Sequence, residues 1–368
     1  MEIIEKKQRN SSIELLRIIA MLMIIFHHMF THGYYRNDLL KYDSLEWYLI
    51  KSFSWLGMIG NYIFILISGY FCSFTDLNRS LTNAKKIYLK YFLYSIFIGL
   101  LFFILKIPYI PNNNTTLKKL YEVNGYDTIS SPMSIIGLIK CFLPFTMGIN
   151  WYASTYLIFL FFIPFLNKCL KNTDKKEHIF LCGILIIIGS LIQLIPSQMA
   201  FSTNSIFQFF MLFTIGSFIK RYQEEINISS VQSFFIFLTP IILIILLQLI
   251  IYTTGNKLNI DYNLRISCSR KIASSFLTIV SAIGLFLIFL NIKNFSNKFI
   301  NICGEHTFDV YLIHDNAVFS LFMWNKLLKI NNEKHVFDLT TFLKPFIVLS
   351  VCLSVCLSVC LSLFFLNF

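Results

Sequence analysis

The chain has 368 residues, of which 56% are hydrophobic and only 14% charged, against roughly 25% charged in soluble domains. With 40 phenylalanines and a net charge of +12, it carries more apolar side chain than a water-facing surface can hide. That excludes a soluble, disordered or disulfide-framework protein and points to an all-α, polytopic transmembrane helical bundle. Continuous apolar runs argue against a barrel, and basic residues in short linkers suit anionic headgroups better than nucleic acid.

The N-terminal tail, residues 1–12, carries Lys6, Lys7 and Arg9 ahead of an apolar run from Ile18 to Phe30. This resembles the charged and apolar regions of a signal peptide. No small-residue cleavage site follows, however, and His27 and His28 interrupt the run, so an uncleaved first span is expected. Arg17 and His28 are separated by three helical turns, at about 100° per residue, and share a face roughly 17 Å apart along the axis. Glu14 lies one turn before Arg17 and is spaced to orient it. Ionisable groups at membrane depth are costly and are functional candidates for that reason. A neutral histidine in a protein cavity is a natural general base, and a guanidinium at the entrance suits a phosphate-bearing ligand. The alternative is structural: Arg17 snorkels to headgroups while the histidines sit at the outer interface with Thr31 and His32.

Further apolar runs cover about 53–72, 87–105, 151–166, 179–195, 205–219, 232–252, 272–290, 306–324 and 342–366. About ten spans place both termini on one side, and the short basic linkers lean that side toward the cytoplasm. The second run ends ILISGYF at 65–71, where Ser68 and Gly69 allow close helix approach or a cavity wall. Residues 107–150 form a long outer loop around PYIPNNNTT, within which 134–147 fits a re-entrant or interfacial helix. The ninth run begins GEHTFDVYLIHDN at 304–316. It brings His314 toward the depth of His28, with Asp309 and Asp315 in the same span. These groups either pair among themselves to fix packing or line a site. The end, 350–368, is low-complexity: Ser-Val-Cys-Leu repeats put Cys352, Cys356 and Cys360 on one helix face. They read as inert thiols in lipid, and with no C-x-x-C in the chain neither a metal site nor a disulfide is expected.

Four segments together resemble the acyltransferase 3 family of integral-membrane acyltransferases: IELLRIIAMLMIIFHH at 13–28, FILISGYF at 64–71, NWYASTYLIFLFFIPFLN at 150–167 and HTFDVYLIHDN at 306–316. The closest likeness is to stand-alone O-acetyltransferases of bacterial surface polysaccharides. The resemblance implies a single acyltransferase domain over 1–368 in the plasma or inner membrane. It implies acyl-coenzyme A, acetyl-CoA above all, as donor co-substrate on the cytoplasmic side. The acceptor is a hydroxyl of a surface or lipid-linked glycan in the cell envelope.

On that basis His28 acts as general base or is itself acylated, and His314 forms a second polar wall. Arg17, oriented by Glu14 and helped by Lys85 and Lys86, meets the donor phosphates; Ser68, Tyr311 and Trp151 are further substrate contacts. The family's Arg-x-x-Arg at the start of the third helix is replaced by NAKKIYLKY at 83–91. Lysines there hold a phosphate as point charges rather than by a bidentate fork. With no hydrolase-like domain after the last helix, the acceptor is met by the membrane domain or by a separate extracytoplasmic carrier or transferase. A transporter, flippase or polymerase of lipid-linked glycans would share the basic, aromatic look. A transporter would use the buried His and Asp residues as a proton relay and show repeat symmetry.

Overall fold

A computed structural model describes residues 9–33, 44–45, 48, 50, 55–109, 131–192, 205–273, 275–330 and 339–366. Lys6, Lys7 and the asparagine-rich centre of the 107–150 segment lie outside the described residues. Helix α1 spans Ser11–His28 and runs into a π-helical turn, Met29–Gly33. It starts where it does because the Asn10 side chain accepts the Ser12 amide, satisfying one of the four open N–H groups of a helix start. Next come α2 (Leu56–Cys72) and α3 (Leu77–Ile104), the latter capped by Asp76 on the Arg79 amide. A two-residue ladder, β1 (Pro108–Tyr109) with β2 (Ser131–Pro132), closes the base of the loop.

Helix α4 (Ile135–Cys141), α5 (Trp151–Lys171) and α6 (Lys175–Ile186) follow, the last opened by an Asp174–Glu177 capping box. The chain continues with α7 (Ser205–Arg221), α8 (Ser230–Lys257, opened by a Ser229–Gln232 capping box), α9 (Tyr262–Ala273) and α10 (Phe276–Asn291). It ends with α11 (Lys298–Glu305), α12 (Thr307–His314), α13 (Ser320–Phe322) and α14 (Leu339–Leu366).

Each apolar run of the sequence carries helix. Among the described residues, five helical segments are long and apolar enough to cross a bilayer unaided: Ser11–His32, α3, α5, α8 and Leu339–Ser358. Helices α2 and α10 are shorter apolar helices. Large apolar side chains face outward along α3, α5 and α8, among them Phe97, Phe161 and Phe235, as a lipid-facing surface requires.

Helices α1, α2, α7 and α10 pack together at the centre, with α12 against α1. The α2–α7 crossing is set by two glycines. A Cβ on Gly69 would strike the Phe213 carbonyl oxygen, and one on Gly216 the Leu66 carbonyl oxygen. Backbones approach this closely only where side chains are absent.

Two expectations need amendment. The ninth run is not one helix but breaks after His314. There the Asn316 side chain accepts the Val318 amide at 3.0 Å, and the Ala317 amide bonds to the Ile149 carbonyl at 3.3 Å; local side-chain bonds outcompete the helix ladder. Residues 134–147, read as a re-entrant or interfacial helix within the 107–150 stretch, hold the short helix α4. They fold back on the second half of α3, with Ser95 Oγ donating to the Cys141 carbonyl at 2.9 Å and Tyr91 Oη to the Pro144 carbonyl at 2.7 Å. Finally, Cys352 and Cys356 face the protein core rather than lipid. Small side chains four residues apart make a flat face that a neighbouring helix can cover.

Candidate active site

The break after His314 positions the site. The His314 ring bonds through Nδ1 to the Val310 carbonyl at 2.8 Å, and its Nε2 lies 3.0 Å from His28 Nδ1. A carbonyl oxygen only accepts, so Nδ1 of neutral His314 carries the proton and Nε2 its lone pair. The His28 ring must then donate from Nδ1, which leaves its Nε2 unprotonated. Asp315 reinforces this: its Oδ1 is 3.5 Å from His28 Nδ1 and 3.7 Å from His32 Nε2. The chain carbonyl–His314–His28, flanked by a carboxylate, fixes one tautomer of a buried imidazole. This is the device that prepares a histidine as a base.

His28 opens into a cavity of about 360 Å³ lined also by His27, His32, Lys140, Trp151 and Asp315. The folded-back 134–147 segment and the start of α5 form its wall. Trp151 is 45% exposed, which leaves an aromatic face available on the wall that His28 shares. His28, His32 and Asp315 also offer three ligand atoms within 4.8 Å of one another, close enough to hold a divalent ion. An ion on His28 Nδ1 would displace the proton that His314 accepts, so the metal-binding and base arrangements exclude each other.

Arg17 lies toward the other end of α1. Its Nη1 is 3.6 Å from Glu14 Oε2, and its Nε is buried with no hydrogen-bond partner among the described residues. Glu14 is itself buried against Gly304, where a Cβ would approach its Oε2 to 2.5 Å. That contact explains the glycine at the head of the ninth-run motif. Glu14 Oε1 lies 3.6 Å from Arg9 Nε.

Between Arg17 and His28 the shared face of α1 is closed. Met21 and Ile24 are both 2% exposed. With Phe64, Tyr152, Phe308 and Tyr311 they leave a void of only about 20 Å³. The two groups share a helix face, as the spacing requires, but a packed apolar plug separates them. Helical period fixes which way a side chain points; it does not say how many neighbours converge there.

The remaining expected residues fall into two sets. Tyr311 Oη accepts the Tyr152 amide at 3.2 Å, and Ser68 Oγ is 3.0 Å from Tyr156 Oη; both pairs border the plug or the Arg17 side of it. Lys85 and Lys86 lie exposed on α3. The lysine of that motif that turns inward is Lys90, whose Nζ is 2.9 Å from Asp309 Oδ2, with His306 Nδ1 at 2.7 Å from the same oxygen. The sequence names all three residues but gives no sign that α3 meets α12 there. The Asp315–His32 contact is likewise a tertiary product, because the two residues belong to opposite ends of the chain.

Neither a curated protein nor a solved structure matches the chain. A family model described as an acyltransferase domain matches residues 10–363. That match takes in α1, the His28–His314 pair and nearly all of α14, and the chain belongs to the acyltransferase 3 family of membrane acyltransferases.

Proposed function

We propose that the protein moves an acyl group, acetyl in the simplest case, from acyl-coenzyme A on the side of its termini to a hydroxyl of a surface or lipid-linked glycan on the far side. The observation that carries this reading is the fixed tautomer of His28 at the wall of a cavity. In the reaction, His28 Nε2 takes the proton of the acceptor hydroxyl as its oxygen attacks the thioester carbonyl carbon. The carbonyl electron pair moves onto oxygen. Collapse of that tetrahedral species reforms the carbonyl and breaks the carbon–sulfur bond, and the departing thiolate recovers the proton from His28. Asp315 stabilises the imidazolium between the two steps, and His314 holds the ring in place.

A second route uses the same lone pair as nucleophile, with an acyl-His28 intermediate that the hydroxyl then attacks. Acid quenching after exposure to labelled acyl donor without acceptor separates the two, since only the second leaves label on the protein. On either route the pantetheine arm must part Met21 and Ile24 to bring the thioester to His28.

The test of the reading is release of free coenzyme A by the purified protein in lipid, given acetyl-CoA and glycan acceptor, together with mass spectrometry of glycans from cells with and without the gene. Thiol release and an acetyl-sized mass difference are expected. Absence of both would overturn it.

Arg17 is the probe of donor binding. Arg17→Lys retains charge but loses the planar fork, which is worth roughly 1.5–3 kcal/mol for a charge-assisted contact. Apparent donor affinity is expected to fall about tenfold or more, with kcat changed far less. Unaltered donor KM would remove Arg17 from the donor site.

A further inference from the structure

Residues 28–32 read HMFTH, two histidines four apart, a spacing that puts both rings on one side of a helix and within reach of a single ion. The break after His314 then brings Asp315 in from the far end of the chain. One carboxylate oxygen, Oδ1, lies 3.5 Å from His28 Nδ1 and 3.7 Å from His32 Nε2. The three ligand atoms all fall within 4.8 Å of one another.

Metal–ligand bonds of about 2.0–2.2 Å set the ligands of a tetrahedral ion about 3.3–3.5 Å apart. Both carboxylate distances are already near that edge, and the third closes by rotation of His32, whose side chain is 26% exposed. Fixing the His28 tautomer requires only His314 and the carboxylate. A second imidazole on the same oxygen is surplus to that task, but it completes a donor set of two nitrogens and one oxygen. Such a set suits zinc and its transition-metal neighbours, whereas magnesium and calcium favour oxygen ligands. All three residues line the cavity on the side of the apolar plug away from Arg17, so an ion entering from that cavity need not pass the plug, and water there can fill a fourth position.

We propose that His28, His32 and Asp315 bind a divalent transition-metal ion, zinc in the first instance, and that the bound ion blocks the base. Coordination uses a lone pair on His28 Nδ1, so the ring proton moves from Nδ1 to Nε2 and none leaves the imidazole. Nε2 then carries a hydrogen. It has no lone pair left to take the proton of an acceptor hydroxyl or to attack a thioester. His314 loses the donor that held the catalytic tautomer, so the ion and the active base are alternatives at one nitrogen. The site stands on the geometry alone; the blockage rests on the acyl-transfer reading.

The experiment is calorimetric titration of the purified full chain with zinc chloride, after removal of metal by a chelator and with no histidine tag. His32→Ala and Asp315→Asn are compared with the unaltered protein. Both side chains line the cavity, and a retained gel-filtration profile verifies folding. One zinc per chain is expected, with the dissociation constant raised about tenfold or more in each variant and little binding of magnesium chloride. Cobalt(II) on the unaltered protein should show visible ligand-field bands without thiolate charge transfer, a readout that needs no variant. Thiol release from acetyl-CoA with glycan acceptor should be lost at saturating zinc and restored by the chelator. Zinc affinity unchanged in both variants, thiolate charge transfer with cobalt, or magnesium bound as tightly as zinc would each overturn the site. Zinc held by these residues with thiol release unchanged or raised would overturn the blockage. Zinc held by them in a protein that releases no thiol even when metal-free would bring down the acyl-transfer reading, and the blockage with it, while the site stands.

Discussion

His28→Ala is expected to lower acyl transfer by at least about 10²–10⁴-fold, the contribution of a positioned general base, while the protein accumulates in the membrane as before. The side chain sits at a cavity wall, so its loss enlarges a space already present rather than opening a sealed core. Asp315→Asn separates a base from mere packing. It preserves size and removes the charge 3.5 Å from His28 Nδ1, so the imidazolium loses its counter-charge and the tautomer loses one of its two restraints. Turnover should fall by about tenfold or more, with donor KM nearly unchanged, since Asp315 lies across the apolar plug from Arg17, the proposed donor contact. Glycan acetylation at normal level by His28→Ala, at normal membrane abundance, would remove His28 from the chemistry. A fall in donor affinity rather than turnover in Asp315→Asn would show a structural role for the carboxylate.

The largest effect on folding is expected at the α2–α7 crossing. Gly216→Leu drives a side chain into the Leu66 carbonyl, and Gly69→Leu does the same at Phe213. The obstacle is helix backbone, which cannot rotate away as a flexible side chain can. The helices must separate or tilt, losing the van der Waals contact that drives helix association in lipid. Overpacking of a well-packed interior costs about 1–3 kcal/mol and occasionally more, and the backbone clash places these variants at or beyond that upper end. Against a total stability of roughly 5–15 kcal/mol, most of the monodisperse, membrane-extracted protein should be lost. Gly183→Leu is the control, because a Cβ at Gly183 meets nothing within 4 Å. Equal thermal stability of Gly216→Leu and Gly183→Leu in detergent would contradict the close crossing.

Much of the architecture is legible from residue chemistry alone. A chain that is 56% hydrophobic and 14% charged has no stable form in water, so its class follows from transfer free energy. Each apolar run must become helix because a lipid-facing backbone has to satisfy its own hydrogen bonds. Period likewise places Arg17 and His28 on one face of α1, and the Ser68–Gly69 pair marks a surface open to close approach.

What the sequence could not supply was convergence. Nothing local to Asp315 reveals that its carboxylate turns back to His28 and His32, because a helical continuation through 324 satisfies the hydrophobic pattern equally well. The helix stops there because the Asn316 side chain accepts the Val318 amide while the Ile149 carbonyl, on a segment folded in from the far loop, takes the Ala317 amide. The plug of Met21, Ile24, Tyr152 and Tyr311 arises from three separate helices, and the Lys90–Asp309–His306 cluster from α3 meeting α11 and α12. Helical periodicity is a property of one segment, set by its own backbone geometry. Tautomer, closure and charge pairing depend on distances between segments far apart in the chain, which only long-range packing decides.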